Sequence, residues 1–178
     1  MPVVRFLEFV ADAEQIGQGV VVNAPGWETV LENNKQSFAS EFVQRSRFTT
    51  ALSTGMTPAQ FVDKLNQNAG SVQSDSERTT AINLFGGAVN TINMTARGQA
   101  LRQVAEDADL SNAEFNRAFV LMQFFGYLRR NPNDLPDSDY SGYEFWLAKL
   151  NQFNGDFAKA EMVKAFIVSS EYRQRFGP

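Results

Sequence analysis

The sequence predicts an all-α fold, and three observations carry that prediction. One apolar pattern recurs three times at a fixed interval, with Phe42, Val104 and Phe166 spaced 62 residues apart. Around them Phe38, Ala100 and Met162 share a register, as do Ala39, Leu101 and Val163, and Val43, Ala105 and Ile167. In each copy these positions fall at i, i+1, i+4 and i+5, one face of a helix with 3.6 residues per turn. Secondly, no segment shows the two-residue alternation of a half-buried strand. Thirdly, the 178 residues include 16 Phe, a side chain that favours packed interiors. The expectation is one domain of roughly seven to nine helices in repeated units of about 60 residues around a Phe-rich core. Unit boundaries are expected at 1–56 (partial), 57–112 and 113–178.

The first helix is expected over Phe6 to Gln15, with Leu7, Val10 and Ala11 inward and Gly17 and Gly19 ending it. Pro25-Gly26-Trp27 opens the next, running to about Arg45 or breaking near Asn33-Asn34. Thr57-Pro58 is an N-cap with a first-turn proline, leading a helix with Phe61, Val62 and Leu65 on one face. Ser74 with Glu77 has capping-box spacing before Ala81, Leu84 and Phe85, and Ser111 with Glu114 repeats it. Between them, Thr95 precedes a helix through Leu101 and Val104. The longest helix is expected from Ser111 to Arg130, and Asn131 to Gly142 reads as a loop. Helices over 143–153 and 157–168 and a short ending at Glu171-Tyr172 complete the chain.

Composition excludes much chemistry. The chain has no His and no Cys, which removes Ser–His–acid and Cys–His nucleophiles, thiolate chemistry and most zinc, iron and copper sites. Only oxygen ligands and carboxylate chemistry remain, and no enzyme is expected. Net charge is −4. The nearest approach to a basic cluster is Arg129–Arg130 with Arg173 and Arg175, too little for a phosphate backbone, so no nucleic-acid partner is expected. No apolar run approaches membrane-spanning length, and the first residues lack a signal-peptide pattern. Copies two and three carry leading segments from Phe61 and Phe119, whereas the first begins at its Trp-containing part. The chain therefore reads as a fragment of a longer protein.

Three segments of the last copy carry a family likeness: Phe119-Val120 through Phe124 to Leu128-Arg129-Arg130-Asn131-Pro132, then Gly142-Tyr143-Glu144-Phe145-Trp146 with Leu150, then Ala165-Phe166-Ile167-Val168-Ser169-Ser170-Glu171-Tyr172. Together they resemble the bacterial family labelled domain of unknown function 4214. The first copy keeps Trp27 and Phe42-Val43, while the middle copy has Thr80 where the Trp would stand. The ending Ser170 to Gly177 also resembles the rod-linker domain of phycobilisomes, an all-helical scaffold. The resemblance implies an exported or surface-associated multidomain bacterial protein and brings no established catalytic residue.

Asp137, Asp139 and Ser141 with Gly142 stand at positions 1, 3, 5 and 6 of an EF-hand-like opening, where alternate side chains converge on Ca²⁺. Ala148 occupies position 12, where a bidentate acid is needed, and Asn133 and Asp134 could add oxygens from upstream. The competing reading is an Asx-rich turn capping the Trp146 helix. Arg129 and Arg130 suit the negative end of the long helix, with Asp134 or Asp137 as a partner across the turn. Trp27 and Trp146 occupy equivalent positions and are expected to anchor the core. Glu106, Asp107 and Asp109 crowd together, which can raise a carboxylate's pKa, although a solvated helix end is the plainer reading. The leading functional expectation is a non-catalytic scaffolding or protein-interaction module of a secreted or cell-surface protein. A calcium-stabilised structural module and a carboxylate-only hydrolase are the alternatives.

Overall fold

Residues 4–177 of the chain are described by a computed structural model, and no strand occurs among them. Ten α-helices follow in order: α1 (Phe6–Gly17), α2 (Trp27–Phe42), α3 (Ser46–Ala51), α4 (Pro58–Asn68), α5 (Asp75–Asn83), α6 (Met94–Ala105), α7 (Ala108–Gln123), α8 (Ser141–Gln152), α9 (Met162–Ile167) and α10 (Ser170–Phe176). A π-helical turn, Phe124–Leu128, continues α7. The all-α expectation holds, with more and shorter helices than expected. Breaks after Phe42 and Ile167 split α3 and α10 from the helices before them. The starts of α3, α7 and α10, at Ser46, Ala108 and Ser170, are 62 residues apart.

Local hydrogen bonding explains most boundaries. Thr57 and Gln60 form the capping box of α4, and Ser74 and Glu77 that of α5. The pair Ser111 and Glu114 does not cap a helix, because α7 already begins at Ala108. Asp107, buried, accepts from the amides of Asp109 (2.8 Å) and Leu110 (3.2 Å), satisfying donors the helix cannot pair itself. Likewise α6 starts one residue before Thr95, capped by Asn93 through the Ala96 amide. Nor does α2 break at Asn33-Asn34; Asn34 donates instead to the carbonyls of Ile16 and Gln18 at the end of α1. Residues 157–161 form turns, so α9 is shorter than the helix expected there.

The chain packs as two compact units. In Ala11–Asn112, α4, α5 and α6 surround Leu52, Phe61, Val62, Leu65, Ala81, Phe85, Ala100 and Val104. Edge-on ring contacts run from Phe42 through Phe48 and Phe61 to Phe85 at 5.7, 6.3 and 5.8 Å. α2 crosses α6 so closely that a Cβ on Gly98 would stand 2.9 Å from the Ser40 backbone nitrogen. The other unit combines Met1–Val10 with Ala113–Pro178 around Val120, Phe124, Phe125, Leu128, Leu150, Met162 and Phe166.

The expected inward faces need correcting in several places, and of the register set Val43, Ala105 and Ile167 only Val43 is buried. Val104 and Phe166 are buried, but Phe42 is half-buried and its neighbour Val43 takes the fully buried position. On α1, Leu7 is 77% exposed, and Val10 and Ala11 are also exposed. Phe6 and Phe9 face the core instead, 5.6 and 5.3 Å from the Phe125 ring. Two Phe rings bury more apolar area than Leu, Val and Ala. The Phe6 amide also donates to Asn131 Oδ1 at 2.7 Å, which fixes the rotation of the helix.

Candidate functional site

The most heavily bonded polar centre lies where the π-turn ends. A π-turn brings Phe124, Phe125 and Leu128 inward together, and Arg129 closes it in the left-handed region (φ 53°). That reversal sends the two successive arginines apart: Arg129 outward, Arg130 into the unit. The Arg130 guanidinium donates through Nε to Glu171 Oε1 (2.7 Å) and through Nη2 to Glu171 Oε2 (3.0 Å) and Asp137 Oδ2 (2.7 Å). Its Nη1 donates to the carbonyls of Asn131 (2.9 Å), Pro132 (3.2 Å) and Asp134 (3.0 Å). Burial disfavours the charge on Arg130 more than any other single influence, yet Glu171 and Asp137 together leave its pKa raised.

A second layer holds this turn. Asp134 accepts from the Asn131 amide and side chain at 3.0 and 2.6 Å, and from Arg5 Nη2 at 3.1 Å. Desolvation pushes the Asp134 carboxyl up, but the Asn131 bonds and the Arg5 and Arg130 charges outweigh it and leave it lowered. Of the three residues expected to bind calcium, Asp137 has one carboxylate oxygen on Arg130, matching the expected pairing across the turn. Asp139 Oδ1 accepts from the Ser141 amide at 2.9 Å, and hydrogen bonds from the Ser141 hydroxyl and then from this amide hold the Asp139 carboxyl below its ordinary range. That is the Asx turn, opening α8. Among the described residues, no group of three or more Asp, Glu, His or Cys side chains is arranged to hold a metal ion.

Two of the crowded acids of the other unit, Glu106 and Asp107, are engaged within the fold. Glu106 pairs with Arg102 at 2.9 Å and, more loosely, with Lys35 at 3.7 Å, while Asp107 is the α7 cap. Glu32 accepts from Lys35 (2.8 Å) and Arg102 (2.7 Å), bonds that lower its pKa to about 2. A groove lined by Ala11, Glu14, Gln15, Gly17 and Gln18 carries a single carboxylate. Both tryptophans are half-buried, with the Trp146 ring 5.7 Å from Phe166 and Lys149 Nζ 5.2 Å from Trp146.

Two residues escaped the sequence reading. Glu171 stood inside the quoted ending motif without a role, and nothing local links it to Arg130. Arg97 is 0% exposed and has no carboxylate partner among the described residues. It donates to Thr91 Oγ1 (2.7 Å), more weakly to the Thr91 carbonyl (3.4 Å), and to the Leu52 carbonyl (2.6 Å). Its guanidinium lies 4.3 Å from the Phe61 ring centroid. Burial lowers its pKa, and Nε has no hydrogen-bond acceptor. Its spacing from Ala100 and Val104, on the apolar face of α6, was the available signal.

Among the described residues, no helix is long and apolar enough to cross a membrane. Compared with protein-family models, with curated proteins and with solved structures, the chain matches none.

Proposed function

We propose that this chain is a non-catalytic scaffolding or protein-interaction module, built of related helical units within a larger secreted or cell-surface bacterial protein. The observation that carries this reading is how the chemistry-bearing side chains are engaged. Arg130, Asp137 and Glu171 tie a turn to α10, Asp107 caps α7, Asp139 closes the Asx turn at the start of α8, and Arg97 holds two loops by their carbonyls. Each of these bonds stabilises backbone geometry rather than presenting a group to a substrate. The repeated helix starts at Ser46, Ala108 and Ser170 favour related units, and the motif likeness to the domain of unknown function 4214 supports the bacterial, surface-associated setting. A photo-crosslinking residue on an exposed helix face tests it. Stoichiometric capture of one protein partner is the expected result. Turnover of an ester, glycoside or peptide substrate, abolished by Glu106→Gln or Asp109→Asn, would overturn it.

A calcium-stabilised module is a second reading, favoured by one observation. Asp137, Asp139 and Ser141 share a short loop, and the Asp139 side chain is exposed.

A further inference from the structure

We infer that the α10 face around Arg129 and Phe176 is the docking surface of the module, and that it takes an acidic protein segment carrying an apolar side chain; this rests on the interaction-module reading above. Arg129 and Arg173 lie 44 residues apart in the sequence, yet the fold brings Arg129 to α10, its guanidinium 5.7 Å from the Phe176 ring. Phe176 is 47% exposed and rests on Tyr172 at 4.9 Å, which in turn meets Tyr127 at 6.0 Å. Arg173 is exposed one helical turn before Phe176. Arg175, also exposed, stands 3.5 Å from Glu171, whose carboxylate is already held by Arg130. Neither Arg129 nor Arg173 has a carboxylate partner among the described residues.

The result is a local positive excess on a chain of net charge −4, arranged around a ring open to solvent. Guanidinium groups pair with carboxylates in a two-pronged geometry, and the ring offers an apolar side chain a seat. Protein fits this surface better than the other polyanions. Three exposed arginines fall short of the roughly four to eight basic residues of an anionic-membrane patch. They also fall short of the roughly six to ten phosphate contacts of a duplex-binding surface.

The test is fluorescence anisotropy with a labelled twelve-residue peptide of Glu alternating with Leu and Phe, beside its Gln-for-Glu counterpart. The acidic peptide is expected to bind about tenfold or more tightly than the Gln peptide, and to weaken as NaCl rises from about 0.05 to 0.3 M. Arg129→Glu with Arg173→Glu should weaken it about tenfold or more, and Phe176→Ala about fivefold. All of these side chains are exposed, so melting temperatures should stay near that of the parent. Equal binding of the two peptides, or indifference to the double variant, overturns the inference. So does tighter binding to phosphatidylserine vesicles or to a DNA duplex, or self-association that the double variant abolishes. A photo-crosslinker at Gln174, beside one at Ser76 on α5, separates the two readings. Partner capture from α5 alone sinks this surface and leaves the module reading standing, whereas capture from neither, with no peptide binding, removes both.

Discussion

Arg130 and Glu171, 41 residues apart in the chain, meet in a two-pronged ion pair with contacts of 2.7 and 3.0 Å. The Arg130 side chain is only 7% exposed, so the pair sits where solvent screens it little. It joins α10 to the turn after α7, and Tyr172 on Tyr127 seals the same junction.

Arg130→Ala should therefore lower unfolding free energy by roughly 3–5 kcal/mol, read from urea denaturation, because it strands a partly buried carboxylate and the Pro132 and Asp134 carbonyls, while the Asn131 carbonyl keeps the Asp134 amide. Arg130→Lys should recover only part of this, since an ammonium lacks the planar fork. Glu171→Gln should cost less than Arg130→Ala, because Arg130 retains Asp137 and its carbonyl partners. A loss below about 1 kcal/mol for Arg130→Ala would place the pair among weak surface bridges.

Arg97 provides a second buried arginine with a different logic. Its acceptors are the Leu52 carbonyl and Thr91 rather than an acid. Arg97→Ala should cost roughly 3–5 kcal/mol, combining a cavity beside Phe61 with unpaired acceptors. Arg97→Met, which keeps the bulk on Phe61, should cost about 2 kcal/mol from the unpaired acceptors alone. Equal losses for the two variants would show that packing contributes nothing there.

Gly98→Ala sets helix propensity against packing. In an isolated helix the change favours folding by about 1 kcal/mol. Here the added methyl meets the Ser40 backbone at 2.9 and 3.0 Å, atoms that cannot swing away. Overpacking of about 1–3 kcal/mol should win, and the melting temperature should fall. A rise would mean that α2 yields to α6 without loss.

Stability should not change between pH 6 and 8, since the chain has no His. Glu32, Asp63, Asp134 and Asp139 all have lowered folded-state pKa values. A depressed carboxyl contributes stability that is present above its unfolded value and lost as pH falls through its folded value. For Glu32 that window runs from its ordinary 4.5 down to about 2. Urea midpoints should thus decline below about pH 4.5 and not before. An NMR titration of Glu32 with its inflection near 4.5 would contradict the Lys35 and Arg102 bonds.

For calcium, binding to the folded state alone would add about 2.7 kcal/mol at a hundredfold excess over Kd. With Ala148 at position 12 and an Asp137 oxygen held by Arg130, any site should be weak, in the range of about 10⁻⁴–10⁻³ M. Millimolar Ca²⁺ should raise the melting temperature by no more than a few degrees, and EDTA should leave the helices intact. A large drop in EDTA, absent in Asp139→Ala, would make the loop a genuine ion site.

What the sequence determined by itself is whatever closes within one helical turn or one loop. The N-cap at Thr57, the capping box at Ser74, the Asx turn at Asp139 and the Arg130–Asp137 pairing were all readable, because donor and acceptor stand two to seven residues apart. Ser111 misled because it has the same local spacing, and Asp107 reaches the first amides of the helix before it. Tertiary structure decided everything that depended on which surface an element meets. Leu7 and Val10 formed a plausible inward face for α1, yet Phe125 and the Asn131 side chain turned Phe6 and Phe9 inward. Nor could local patterning show that Arg130 would be buried against Glu171 while Arg129 turned out beside Phe176. That division comes from the left-handed Arg129 backbone at the end of a π-turn, and only the packing of α10 supplies the acid and the ring.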